Sequence, residues 1–174
     1  EFTMEKGTVE KIRTFCSQMQ VTEFMFFMSV FGILLQKYTG QEDIVIGSPV
    51  LGRTLPDSQN LIGMFVNTVA IRNDINKNYT FKEILIHTAE KCLLAYDNQE
   101  YQFDDLVRKL SAHKDNSRNP LFDVMFGVQN GGTCTMKIGD TALVPTKIEG
   151  KVSKFDITLM VDSEEDGYIL YWEY

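Results

Sequence analysis

The sequence predicts a mixed β-sheet with helices packed on it, an α/β (α+β) fold, and three observations predict it. Helical spacing of apolar residues fills the first two-thirds of the chain, whereas short β-branched and aromatic runs punctuated by Gly, Asn and Asp fill the last third. The stretch from Phe24 to Leu35 is apolar almost all round, and such a helix must lie between layers, which calls for a sheet beneath it. With 174 residues, 44% of them apolar, including 12 Phe and 8 Met, one domain can bury a core of that design.

Val9, Ile12, Phe15 and Cys16 recur at helical spacing and place a helix over 8–19. Thr22 before Glu23 offers the N-cap of a second helix to Tyr38, and Thr39-Gly40 closes it because Gly accepts the left-handed cap. Residues 44–50 alternate and are rich in β-branched side chains, a strand ended by Pro49 and Gly52. A polar, turn-rich loop follows over 53–60, then a strand over 65–71. Thr80-Phe81-Lys82-Glu83 is a capping box that opens a long helix to Asp97, with Phe81, Ile84, Leu85, Cys92, Leu93 and Tyr96 on its apolar side. A shorter helix over 103–112 turns Leu106, Val107 and Leu110 to one face. In Ser117-Arg118-Asn119-Pro120, Pro120 ends a loop and holds Asn119 extended, so that Arg118 and Asn119 stand at the entrance of a strand over 121–128. Further strands are expected over 135–138, 142–148, 155–161 and 168–174, with turns at Asn130-Gly131-Gly132 and Asp166-Gly167.

A formal net charge of −7 argues against nucleic acid and against an anionic membrane surface. The apolar stretch around Val30 is shorter than the roughly 20 residues a span needs. Cys16, Cys92 and Cys134, odd in number and widely spaced, fit reduced thiols in a cytoplasmic protein, and none stands near a His that would suggest a nucleophile or zinc site. His87 sits mid-helix and reads as surface or packing, with Glu83 its nearest carboxylate. His113, beside Lys114, complements a helix end. Glu42 and Asp43 point to opposite faces of a strand start and make a poor acid-base pair, and Glu164-Glu165-Asp166 reads as a solvated hairpin tip. Gly47-Ser48-Pro49 lacks the pattern of a nucleophile elbow, and Gly131-Gly132 lacks the Lys of a phosphate loop.

Four segments stand in a fixed order: Tyr38-Thr39-Gly40-Gln41-Glu42-Asp43-Ile44-Val45-Ile46-Gly47-Ser48-Pro49, Ile62-Gly63-Met64-Phe65-Val66-Asn67-Thr68 closing on Arg72, Asn98-Gln99-Glu100-Tyr101-Gln102-Phe103-Asp104, and Ser117-Arg118-Asn119-Pro120-Leu121-Phe122-Asp123-Val124-Met125-Phe126. In that order they resemble the later core motifs of the condensation domain of nonribosomal peptide synthetases, from about Glu10 to the C-terminus. Phe65-Val66-Asn67-Thr68 and Asn119-Pro120-Leu121-Phe122 resemble the condensing branch, not the epimerisation or heterocyclisation branches. The family's tandem-histidine motif, His-His-x-x-x-Asp-Gly, is missing, since His87 and His113 are the only histidines.

The resemblance implies the C-terminal, chloramphenicol-acetyltransferase-like half of such a domain, spanning 8–174 and cut before its natural end, with residues 1–7 a linker or cloning remnant. The parent enzyme joins a donor aminoacyl or peptidyl thioester on one carrier to the amine of an acceptor on another. This chain would hold no catalytic residue and no metal, and would be inactive alone. Asn119 would line the substrate tunnel beside Arg118, with Asn67, Gln99 and Arg72 as tunnel or supporting residues, Arg72 through an internal ion pair, and Asp104 and Asp123 as turn and strand-edge anchors. No cofactor is expected on this chain, 4′-phosphopantetheine belonging to the carriers. The implied partners are the N-terminal half, peptidyl carrier domains and a neighbouring adenylation domain. A non-catalytic carrier-docking module and a distinct acyltransferase using a coenzyme A thioester are the alternatives. The face left by the missing first half, or an uncovered last strand, Tyr168 to Tyr174, implies a two-fold homodimer of the chain.

Overall fold

The computed structural model describes residues 1–110, 118–129, 136–143, 152–163 and 167–174. The two helix starts legible in sequence form through their side chains. Thr22 accepts from the Met25 amide at 3.2 Å and opens α2 (Glu23–Thr39), while Thr80 and Glu83 satisfy each other's backbone amides and open α3 (Phe81–Asp97). Gly40, at φ 72°, ends α2. Ahead of it, α1 (Lys6–Met19) starts two residues before the expected position, and α4 (Phe103–Leu110) follows α3.

The main sheet contains β1 (Phe2–Thr3), β2 (Asp43–Val50), β3 (Asn67–Asp74), β4 (Val124–Gln129), β7 (Ile157–Ser163) and β8 (Tyr168–Glu173), in the order β1-β8-β7-β4-β2-β3. A separate hairpin joins β5 (Met136–Ile138) to β6 (Thr141–Leu143). The central strand β4 runs parallel to both its neighbours, and the remaining pairings are antiparallel. Alternate residues, Ile44, Ile46 and Ser48 on β2, Val69, Ile71 and Asn73 on β3, Phe126 on β4, Leu159 and Val161 on β7, are buried. The apolar α2 supplies the matching layer: Phe24 and Phe31 lie 5.1 and 6.0 Å from the Phe126 ring, and Phe27 meets Tyr168 edge-on at 4.8 Å. Burying each such aromatic contributes roughly 1.5–3 kcal/mol, which is why the all-round apolar helix requires the sheet.

Several expected boundaries move for physical reasons. Phe65 and Val66 stay outside β3, because the Phe65 carbonyl crosses above Gly52 and its ring lies against Arg53. Leu121 and Phe122 stay outside β4, because Phe122 turns over Gly47. Leu93 faces solvent instead of the core. The last strand is covered along its first part, where Phe2 pairs with Leu170 and Thr3 with Ile169, the Met4 amide donates to the Tyr168 carbonyl at 3.0 Å and Tyr168 is wholly buried, while Trp172 and Tyr174 beyond it stay exposed. Among the described residues no single helix is long and apolar enough to cross a membrane. His113, Cys134, the Asn130-Gly131-Gly132 turn and the acidic tip Glu164-Glu165-Asp166 lie outside the described residues.

Candidate functional site

Parallel strands β4 and β7 start side by side, and the loop ending in Pro120 delivers its polar residues there. The Asn119 amide donates to the Lys154 carbonyl at 3.2 Å, and the Asp156 amide donates to the Asp123 carbonyl at 2.9 Å, so both strand entrances are tied together. Arg118 and Asn119 are exposed and border an open cleft of about 460 Å³, whose other walls are Asp123, Ser153, Lys154, Phe155 and Asp156. A carboxamide, two cations and two carboxylates in one cleft can orient a polar ligand through hydrogen bonds. No histidine lies among the cleft's described residues, so the cleft shows orientation chemistry without a proton acceptor of that kind.

Beneath the loop, Phe122 stacks on Phe155 at 5.6 Å and leans on Phe103 at 5.5 Å. A β-carbon placed on Gly47 would stand 2.2 Å from the Phe122 ring, so the notch left by this glycine holds the loop against β2. No periodicity in the sequence marks this pairing, which joins residues far apart along the chain.

Asn67 and Gln99 both hydrogen-bond within the α3–α4 connection. From the start of β3, Asn67 donates to the Gln99 and Tyr101 carbonyls at 2.8 and 2.9 Å and accepts from the Phe103 amide at 3.3 Å, which engages its whole carboxamide in the α3–α4 connection. Gln99 donates to the Tyr96 carbonyl at 2.9 Å at the end of α3. Thr54 bonds Glu100 at 2.7 Å and ties the same turn to the 51–66 loop. Asn67→Ala is expected to lower stability by about 1–3 kcal/mol, since two carbonyls and an amide lose their partner at a half-buried site. Urea unfolding monitored by circular dichroism measures it, and an unchanged midpoint would show that water replaces the carboxamide.

The ion pair of Arg72 lies at the surface and not inside the protein as expected: its guanidinium forks onto Asp43 at 2.8 and 2.7 Å, and neither residue is among the described walls of Asn119's cleft. That hydrogen bond holds the Asp43 carboxyl below the usual carboxylate range. The pair's stabilising share is therefore present above the ordinary carboxylate pKa and lost as pH falls through the lowered value, and solvent keeps it small. His87 is exposed, 3.8 Å from Glu90 and stacked on Tyr79. Cys16 and Cys92 are buried, and burial pushes their thiols up to about 11 and about 12, away from nucleophilic behaviour. Among the described residues no cluster of His, Cys, Asp and Glu has the arrangement to hold a metal.

The sequence predicts a polar loop over 53–60, whereas the connection between β2 and β3 runs over 51–66. Its centre is Arg53, which donates to the Ser58 carbonyl and to the Leu61 and Gly63 carbonyls at 2.9 and 3.4 Å and lies 4.3 Å over the Phe65 ring. Around that clasp Leu55, Leu61, Ile62 and Met64 stand exposed. The available signal was an aperiodic cluster of apolar residues between two glycines, Gly52 and Gly63.

The family model described as Condensation domain matches residues 1–174. Gramicidin S synthase 2 of Aneurinibacillus migulanus is 39% identical over 99% of this chain and 4% of its own length. Bacitracin synthase 1 of Bacillus licheniformis is 41% identical over 98% of the chain and 3% of its own length. The chain therefore spans only a few per cent of these curated relatives. Among solved structures, a holo four-domain nonribosomal peptide synthetase bound to AMP and glycine superposes with a TM-score of 0.90 at 23% identity, over 99% of this chain and 14% of that one. The X-domain from teicoplanin biosynthesis superposes with a TM-score of 0.86 at 20% identity, over 99% of this chain and 40% of that one. At these identities the superpositions establish the fold.

Proposed function

We propose, since the chain belongs to the condensation-domain family, that it serves a nonribosomal peptide synthetase as the second, chloramphenicol-acetyltransferase-like half of a domain that forms the amide bond between two carrier-bound substrates. The observation that carries this reading is the pairing of a full-length family match with a sequence whose only histidines are His87 and His113. In this reading residues 8–174 form the half-domain, and the tandem-histidine motif resides on an N-terminal half that packs beside the Asn119 cleft. Asn119 and Arg118 orient the thioester or the incoming amine at that junction. Asn67 and Gln99 keep the α3–α4 connection in place, and Arg72 fixes the β2–β3 edge. The 4′-phosphopantetheine arms come from peptidyl carrier domains, with an adenylation domain adjoining. Phe65-Val66-Asn67-Thr68 and Asn119-Pro120-Leu121-Phe122 favour the condensing branch.

The chain alone is expected to form no peptide bond. Donor and acceptor carriers, each loaded with an aminoacyl group, are mixed with it and the acceptor thioester is read by mass spectrometry. Dipeptidyl thioester above the uncatalysed background would overturn the half-domain assignment. Fusion to a histidine-bearing N-terminal half is expected to restore product.

A further inference from the structure

The cleft at the entrances of β4 and β7 has two walls. One is the loop that ends in Pro120, and the other is the segment Ser153-Lys154-Phe155-Asp156, which leads into β7. The walls meet three times: Asn119 donates to the Lys154 carbonyl at 3.2 Å, Phe122 stacks on Phe155 at 5.6 Å, and the Asp156 amide donates to the Asp123 carbonyl at 2.9 Å. The second and third contacts hold the walls together. The first sets where an exposed carboxamide points, and it depends on the direction of a single carbonyl. The ladder between β4 and β7 begins only at Ile157, so strand pairing does not fix the Lys154 peptide. Ser153 does. Its half-buried hydroxyl donates to the Phe155 carbonyl at 2.6 Å and closes a small ring over Lys154. A short side-chain-to-backbone bond of this kind holds the chain in a bend where a ladder is absent. The ring encloses the Lys154–Phe155 peptide, whose carbonyl is the one that Asn119 uses.

We infer that Ser153 is a positioning residue for amide-bond formation: its hydroxyl orients the Lys154 carbonyl, and that carbonyl sets the direction of the Asn119 carboxamide. The inference rests on the reading that Asn119 faces the thioester or the incoming amine. The polarity of the contact gives it chemical content. Lys154 offers an acceptor, so the carboxamide must turn its nitrogen there. Its oxygen is then available to accept from the N–H of an amine, and a carboxamide turned over would present a donor in its place. An exposed Asn without that tether samples several rotamers, and only one of them carries the oxygen in the required direction. Ser153 therefore acts through Asn119 and not on the substrates.

In the complete domain, with loaded donor and acceptor carriers, Ser153→Ala is expected to lower kcat about three- to tenfold and to leave KM for the acceptor carrier unchanged, since orientation and not binding is lost. Ser153→Thr, which keeps a hydroxyl on the β-carbon, is expected to recover most of that loss. The deciding measurement combines Ser153→Ala with Asn119→Ala. Once the carboxamide is gone the hydroxyl has nothing left to orient, so the double variant should be no slower than Asn119→Ala alone. A loss of folded protein would instead slow both backgrounds alike, and thermal midpoints recorded beside the rates report it. Undiminished turnover of Ser153→Ala beside an impaired Asn119→Ala overturns the inference and leaves the site reading standing, and losses that multiply in the double variant do the same. Full turnover of Asn119→Ala overturns the site reading itself, and the role of Ser153 falls with it.

Discussion

Phe122→Ala is expected to lower the stability of the chain by about 3–5 kcal/mol, the range for emptying a buried aromatic site. Phe122 is 6% exposed, and its ring is held between Gly47 below and Phe103 and Phe155 beside it. Gly47→Ala is expected to cost about 1–3 kcal/mol by overpacking, since the new methyl would overlap the ring. Combining the two removes the overlap, so the pair should cost distinctly less than the sum of the singles. Guanidinium denaturation of the four proteins in this cycle measures it. Strict additivity would mean that the ring and the glycine do not meet in solution.

Asn119→Ala carries the largest expected effect on activity. In the complete domain the variant is expected to lose about 10–100-fold in turnover, as a mispositioned reactant does. Its stability should change by less than about 1 kcal/mol, because the side chain is exposed and, among the described residues, its hydrogen bond goes to the Lys154 carbonyl. Rates with loaded carriers, read beside the thermal midpoint, separate the two quantities. If both fall together, Asn119 is a clip between the entrances of β4 and β7 and does not face the reaction.

Local chemistry was legible in the sequence. The Thr80–Glu83 capping box, the Thr22 cap and the Gly40 terminator appear where their residue types demand them, because each is decided within a few residues of chain. The layer order followed from the all-round apolar α2. Features decided by residues far apart in sequence were illegible: the Phe122 ring over Gly47, the Asn67 carboxamide reaching across to the α3–α4 connection, and the pairing of β1 with β8. No periodicity encodes such contacts. The candidate site was legible only in part: the motifs marked Asn119, Asn67, Gln99 and Arg72, but only their partners separate a residue on an open cleft from two internal supports and a surface ion pair.

The parallel placement of β4 between β2 and β7 also governs how the chain reaches this state. Hairpin partners such as β7 and β8, or β2 and β3, lie close in sequence and can meet early. The register that sets Gly47 beside Met125, and Met125 beside Thr158, closes only after everything between has been arranged. Closing such long loops costs entropy before any contact compensates, so assembly of the central strand is the expected slow step of folding. During biosynthesis the β2–β3 hairpin and the helices above it must therefore wait, with their apolar faces uncovered, until the last third of the chain has left the ribosome.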